Sequence, residues 1–196
     1  MAEIVLIRHG ETEWSKSGQH TGRTDIPLTR NGRKRAAELE PLLRHRAFGL
    51  TLSSPMERAR DTAKLAGLTP DGIDDDLVEW DYGAWEGRTT PDIRVELGDP
   101  NWVIWDHPIP PGKTPGETTD EVALRCHRVI ERCVPVLDAG RDCALIAHGH
   151  VLRILTATWL GLHSDAGRLF MLEAGALSSL GFERTQHVIT GWNQTP

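Results

Sequence analysis

Cysteine is scarce in this chain. Its three residues, Cys126, Cys133 and Cys143, are odd in number and lack the CxxC-like spacing of a zinc site. A paired disulfide framework is thereby excluded, and the seven-residue step from Cys126 to Cys133 puts both on one helix face as small core residues. No apolar run approaches the ~18 residues of a membrane span, and the run after Glu3 is too short for a secretory signal. No long block of one charge sign accompanies the net charge of −6, so non-specific binding to nucleic acid or to a membrane surface is not expected. Tyrosine occurs once and phenylalanine three times, against seven tryptophans. What remains is a globular composition, 39% hydrophobic and 26% charged, in 196 residues, enough for one well-cored α/β domain and short for two. The expectation is a single cytoplasmic domain over residues 1–196.

Residues 3–8 read as a buried strand, because Ile4, Val5, Leu6 and Ile7 are consecutive and not alternating, as in a parallel sheet covered on both faces. Residues 15–28 are turn-rich and read as a loop. Thr29 opens a helix whose apolar face is Ala36, Leu39, Leu42 and Leu43, with Pro41 expected to bend or end it. A second strand covers 50–54. Ser54-Pro55 then reads as an N-cap and first helical position, with Gly67 as the stop. Residues 70–118 hold seven of the twelve prolines and four of the seven tryptophans and show no clear periodicity. Thr118 and Glu121 form a capping-box pattern before a helix with Val122, Cys126, Val129, Ile130, Cys133 and Leu137 on one stripe, whose last turns Pro135 should disturb. "CALIAH" is another buried strand, followed by a helix through Leu155 and Trp159, and "ALSSLGFE" with "HVIT" predicts a closing hairpin. The fold class is α/β, a mostly parallel central sheet flanked by helices, with an irregular insertion around 75–118 over the active site.

Two stretches end alike: "IVLIRHG" and "CALIAHG" each run an apolar strand into His-Gly. Reactive groups of open parallel sheets gather at the carboxyl ends of strands, so His9 and His148 converge if their strands are neighbours. Arg8 sits beside His9, and Arg58 falls in the first turn of a helix. Two arginines, two histidines and a helix N-terminus suit a phosphoryl group, with His9 as the nucleophile. A phosphate ester also needs an acid for its leaving alkoxide, worth about 10²–10⁴ in rate. Glu79, beside Trp80, is the candidate, its proton expected to be held by an apolar aromatic setting. Taken singly, each residue has a plainer reading: a hydrogen-bonded histidine, a solvated arginine, a surface carboxylate. His150 reads as structural and Asp74-Asp75-Asp76 as a solvated turn.

Together the segments "LIRHGETEW", "HTGRTDIPLT", "SSPMERARDTA", "EWDYGAWEG" and "AHGH" resemble the histidine phosphatase superfamily, with its phosphoglycerate mutase-like fold, over nearly the whole chain. The resemblance implies that His9 is phosphorylated, that Arg8, Arg58 and His148 bind phosphate, and that Glu79 is the proton donor. It also places Thr21 and Gly22 in the substrate loop, and Ser15 where the family usually has asparagine. Trp80 follows Glu79 where mutases carry arginine, and no Arg-Arg pair occurs, so hydrolysis is favoured over a cofactor-dependent phosphoglycerate mutase. The closest branch contains fungal sedoheptulose bisphosphatase and bacterial acid or sugar phosphatases, which implies a small phosphorylated metabolite and neither metal nor cofactor. A bisphosphate would call for further cations, for which Arg23, Lys113 and Arg153 are the candidates. A catalytically silent binding protein and a metal hydrolase are the readings from other classes, and a homodimer is left open.

Overall fold

In the computed structural model, which describes residues 2–196, the opening apolar run is strand β1 (Ile4–Arg8), and its side chains divide between two cores. Ile4 and Leu6 face one, Val5 and Ile7 the other, and all four are fully buried. Helices on both faces of the sheet account for the unbroken run.

A short helix, α1 (Glu13–Ser17), lies partly in the stretch expected to be loop, capped reciprocally by Thr12 and Ser15. Helix α2 (Arg30–Glu38) starts on the Thr29 cap and ends at Leu39, and Pro41 sits in the first turn of a separate helix, α3 (Glu40–Leu43), the expected break falling just before the proline. The break turns Leu42 outward to 50% exposure, which removes it from the predicted apolar face. Strand β2 (Phe48–Ser53) leads to α4 (Glu57–Leu65), a two-residue strand β3 (Gly72–Ile73), α5 (Thr90–Leu97) and the long α6 (Thr119–Asp138). Strand β4 (Asp142–Ala147), α7 (Gly149–Trp159) and the hairpin of β5 (Leu177–Glu183) with β6 (Gln186–Gln194) complete the chain.

The six strands form one sheet in the order β3-β2-β4-β1-β5-β6. The first four are parallel, and β5 and β6 run antiparallel at one edge. Leu39 and Leu43 of the α2–α3 segment, with Ala59 and Ala63 of α4, pack on Val5, Ile7, Ala144 and Ile146. Side chains of α6, α7 and the tryptophans Trp80, Trp85 and Trp102 cover the opposite face. Cys126 and Cys133 are buried there, on one stripe of α6.

Three local expectations are corrected. Ser54-Pro55 does not start the helix: α4 begins at Glu57, and the Asp25 carboxylate accepts from the Glu57 N–H at 3.0 Å, doing the work of a cap from a distant loop. Pro135 leaves α6 running to Asp138, because a proline one turn from a helix end removes a single ladder bond. Residues 70–118 are not irregular throughout, since α5 starts on a Thr89–Asp92 capping box with Pro91 in its first turn. Among the described residues no helix is long and apolar enough to cross a membrane.

Candidate active site

Strands β1 and β4 are neighbours in register, Arg8 beside Ala147, so the two histidines that follow arrive side by side. Their ring centroids are 5.1 Å apart, and the His9 N–H donates to the Ala147 carbonyl at 2.9 Å. The Nδ1 of His9 lies 2.7 Å from the Gly10 carbonyl, which only a protonated nitrogen can approach. Nε2 therefore keeps its lone pair. Thr62 of α4 fixes this turn, accepting from the Gly10 N–H at 3.1 Å and donating to the Arg58 carbonyl at 2.7 Å. Gly10 has no alternative, since a Cβ there would lie 2.5 Å from the Gly32 carbonyl oxygen.

Arg8 reaches along the cavity wall and donates through Nη1 to the Leu172 carbonyl, while its buried Nε has no hydrogen-bond partner among the described residues. Its guanidinium lies over Gly149, where a Cβ would be 3.2 Å from the guanidinium carbon. A half-buried, incompletely bonded guanidinium beside a helix N-terminus fits a phosphoryl oxygen.

Arg58 is placed differently from the expectation. Fully buried, it sits behind His148, and its Nε donates to His148 Nδ1 at 3.1 Å. Its other nitrogens donate to the carbonyls of Thr24 (2.9 Å), Gly22 (3.0 Å) and Thr21 (3.3 Å). With Nδ1 of His148 accepting, Nε2 carries the proton and donates to Ser54 Oγ at 2.7 Å. Read from the sequence as a helix cap, Ser54 is instead a ligand of the second histidine. Gly22 also lies behind the cavity, its N–H donating to the Glu86 carboxylate at 3.0 Å.

Glu79 has another environment than the aromatic wall expected of Trp80. Its carboxylate accepts three backbone N–H bonds, from Trp80 (2.9 Å), His150 (3.0 Å) and Val151 (2.8 Å), the last two at the start of α7. Arg125 braces this segment from α6, donating to the carbonyls of Asp76, Val78 and Glu79 and to the Glu117 carboxylate. The signal for Arg125 was present, an arginine within the apolar stripe of α6, and went unread.

The cavity at these strand ends measures about 220 Å³. Of the predicted residues, Arg8, His9, Ser15, Thr21 and Glu79 line it, and Arg58, His148 and Gly22 support it from behind. The Ser15 hydroxyl is already used in capping, donating to the Thr12 carbonyl at 3.0 Å. His20, Tyr82, His150 and Arg153 complete the wall. Tyr82 Oη lies 2.5 Å from His150 Nδ1, so this pair joins the insertion to α7. Arg23 and Lys113 line a separate hollow, where Arg23 faces Asp81 and Glu117.

Burial holds His9 well below the ordinary histidine value of 6.5, and the Arg58 and Arg8 charges add to it. Burial and Arg58 do the same for His148, burial and Arg153 for His150, and burial alone brings His20 to about 4. The same burial pushes the Tyr82 hydroxyl well above its usual range, so it donates to His150. Folded values below the unfolded 6.5 mean that the unfolded chain binds more protons in acid. These histidines therefore contribute stability that is complete above about pH 6.5 and lost as pH falls, each by up to about 1.4 kcal/mol per pH unit. The urea midpoint should drop between about pH 7.5 and 5.5, and a flat midpoint would contradict the neutral assignments.

The sequence matches the histidine phosphatase superfamily (branch 1) over residues 4–195. It is similar to an acid phosphatase of Mycobacterium tuberculosis, 36% identical over 182 residues, 92% of this chain and 86% of that one. It is 38% identical over 188 residues to the sedoheptulose 1,7-bisphosphatase of Saccharomyces cerevisiae, covering 81% of this chain and 67% of the yeast protein. Proteins named as phosphoglycerate mutases are similar as well. The solved structure of an open reading frame product from Mycobacterium tuberculosis superposes with a TM-score of 0.90 at 35% identity, over 99% of this chain and 98% of that one. A match along almost the whole sequence, with the paired strand-end histidines and the arginine beside them, shows that the chain belongs to the histidine phosphatase superfamily and is a phosphatase of that type.

Proposed function

We propose that the enzyme hydrolyses phosphomonoesters of small metabolites, sugar phosphates in particular, without a metal and through a phosphohistidine on His9. The carrying observation is the Nδ1 contact of His9 with the Gly10 carbonyl, which leaves Nε2 as a lone-pair nitrogen beside Arg8. In the first step Nε2 attacks phosphorus, the N–P bond forms and the ester P–O bond breaks. The departing alkoxide takes a proton from the Glu79 carboxyl while Arg8 balances charge on the phosphoryl oxygens. In the second step water attacks phosphorus and gives its proton to Glu79. The N–P bond breaks, its electron pair returns to Nε2, and inorganic phosphate leaves. The relatives named as acid phosphatase and sedoheptulose 1,7-bisphosphatase support this substrate class.

Phosphate release from p-nitrophenyl phosphate and a panel of sugar phosphates and phosphoglycerates, with EDTA present, tests the reading. Activity that vanishes in EDTA, or interconversion of phosphoglycerates without release, would overturn it. Glu79→Gln separates the acid from a merely structural carboxylate. Turnover of sugar phosphates should fall about 10²–10⁴-fold. p-Nitrophenyl phosphate should lose far less in its first step, because p-nitrophenolate leaves without a proton. Equal losses in phosphoenzyme formation on both substrate types would remove Glu79 from the acid role.

A further inference from the structure

Glu79 sits in a stretch with no ladder of its own. Residues 79–82 belong to no helix or strand, and among the described residues no backbone N–H donates to the carbonyls of Val78 and Glu79, both buried residues. Buried carbonyls need donors, and here a side chain supplies them. Arg125 reaches in from α6, its Nη1 donating to the carbonyls of Asp76 (2.8 Å) and Val78 (2.6 Å) and its Nη2 to that of Glu79 (3.2 Å). The Glu117 carboxylate takes the rest of the fork, from Nε at 2.9 Å and from Nη2 at 3.0 Å. Every N–H of the guanidinium is then in use. Glu117 also accepts from the Asp81 N–H at 2.9 Å, and its carbonyl accepts from the Trp80 indole at 2.7 Å. The chain is thus gripped on both sides of Glu79. Arg125 is itself buried and does not line the reaction cavity.

Two helices therefore share the placing of this carboxyl group. The His150 and Val151 N–H groups of α7 fix how the carboxylate is turned, and Arg125 of α6 fixes the main chain from which it extends. We infer that Arg125 is a positioning residue for the acid–base step, setting how closely the Glu79 carboxyl meets the departing oxygen without itself touching substrate. This rests on the proposed role of Glu79. Proton transfer needs heavy atoms about 2.6–3.2 Å apart, and a misplacement of about 1 Å can cost about 10²-fold. Lysine is a poor replacement, because an ammonium has three donors and no fork to meet a carboxylate and a row of carbonyls together.

The test reads phosphoenzyme formation by rapid quenching in alkaline detergent. One substrate is fructose 6-phosphate, or whichever sugar phosphate the parent hydrolyses fastest, whose alkoxide needs an acid. The other is p-nitrophenyl phosphate, whose leaving group does not. Arg125→Ala should slow the first about 10²-fold and the second less than about threefold, with affinity for inorganic phosphate by calorimetry unchanged. Arg125→Lys should recover part of the loss. In a Glu79→Gln background, adding Arg125→Ala should cost nothing further on the sugar phosphate, since a residue that acts through Glu79 has nothing left to position. Equal losses on both substrates, or a further loss of about tenfold in the double variant, would mark a general brace of the fold and overturn the inference. If Arg125→Ala does not fold, Glu117→Gln decides, because it loosens the fork with the guanidinium still in place. The same split between substrates at smaller size supports the inference, and its absence overturns it. A split in Glu79→Gln with none at Arg125 or Glu117 overturns the inference alone. No split in Glu79→Gln removes the acid role, and the inference with it.

Discussion

His9→Ala should reduce phosphate release from every phosphomonoester by about 10⁴-fold or more, to the limit of detection. The size of the effect follows from how the two histidines are bonded. His148 has no free lone pair, since Nδ1 accepts from Arg58 and Nε2 donates to Ser54. His9 alone of the pair presents a nitrogen lone pair at the cavity. With the nucleophile removed, Arg8 and Glu79 can still bind and polarise a phosphoryl group, but no covalent intermediate forms. Quenching in alkaline detergent, with the work-up kept basic, should recover a base-stable, acid-labile phosphoenzyme from the parent and none from the variant. Retention of more than about one hundredth of the parent rate would place the nucleophile elsewhere.

The second large effect is expected at Arg58, and it is one of stability as much as of activity. Arg58→Met keeps an unbranched apolar stem in the buried slot but removes the donors that tie His148 to the carbonyls of Thr21, Gly22 and Thr24. Buried acceptors left without donors should cost about 3–5 kcal/mol. For a chain of this size that lowers Tm by about 6–20 °C. The loop over residues 19–25 should lose protection from hydrogen exchange, and kcat should fall with it, because Thr21 lines the cavity and Asp25 caps α4. The family resemblance implies direct phosphate binding by Arg58, which predicts another outcome: an unchanged Tm with the loss confined to KM. Thermal denaturation beside steady-state kinetics separates the two.

Much of the site was legible because its parts sit at positions that local patterns mark. His9 and His148 each follow a run of consecutive apolar residues, and such a run in a doubly covered sheet ends at the edge where ligands bind. Glu79 stood out at the start of a segment without periodicity. Ser54 was misread because Ser-Pro is a sound helix-start signal. The cap that the helix uses is Asp25, supplied from more than thirty residues earlier in the chain. Helix α5 was missed although Thr89, Pro91 and Asp92 spell its start, because it buries only Ile93 and shows little periodicity.

By itself the sequence determined the fold class, the parallel core, the two histidines and the family. Each is written in the burial period of single strands and helices, or in short segments that need no knowledge of their neighbours. Tertiary structure alone decided that β1 and β4 lie side by side in register, which brings His9 to His148. It also put Arg58 behind His148 and not in the cavity, and gave Glu79 two of its three donors from α7. These depend on which atoms meet across the folded chain, and the tautomer of a buried histidine or the partner of a buried charge is set only by that meeting.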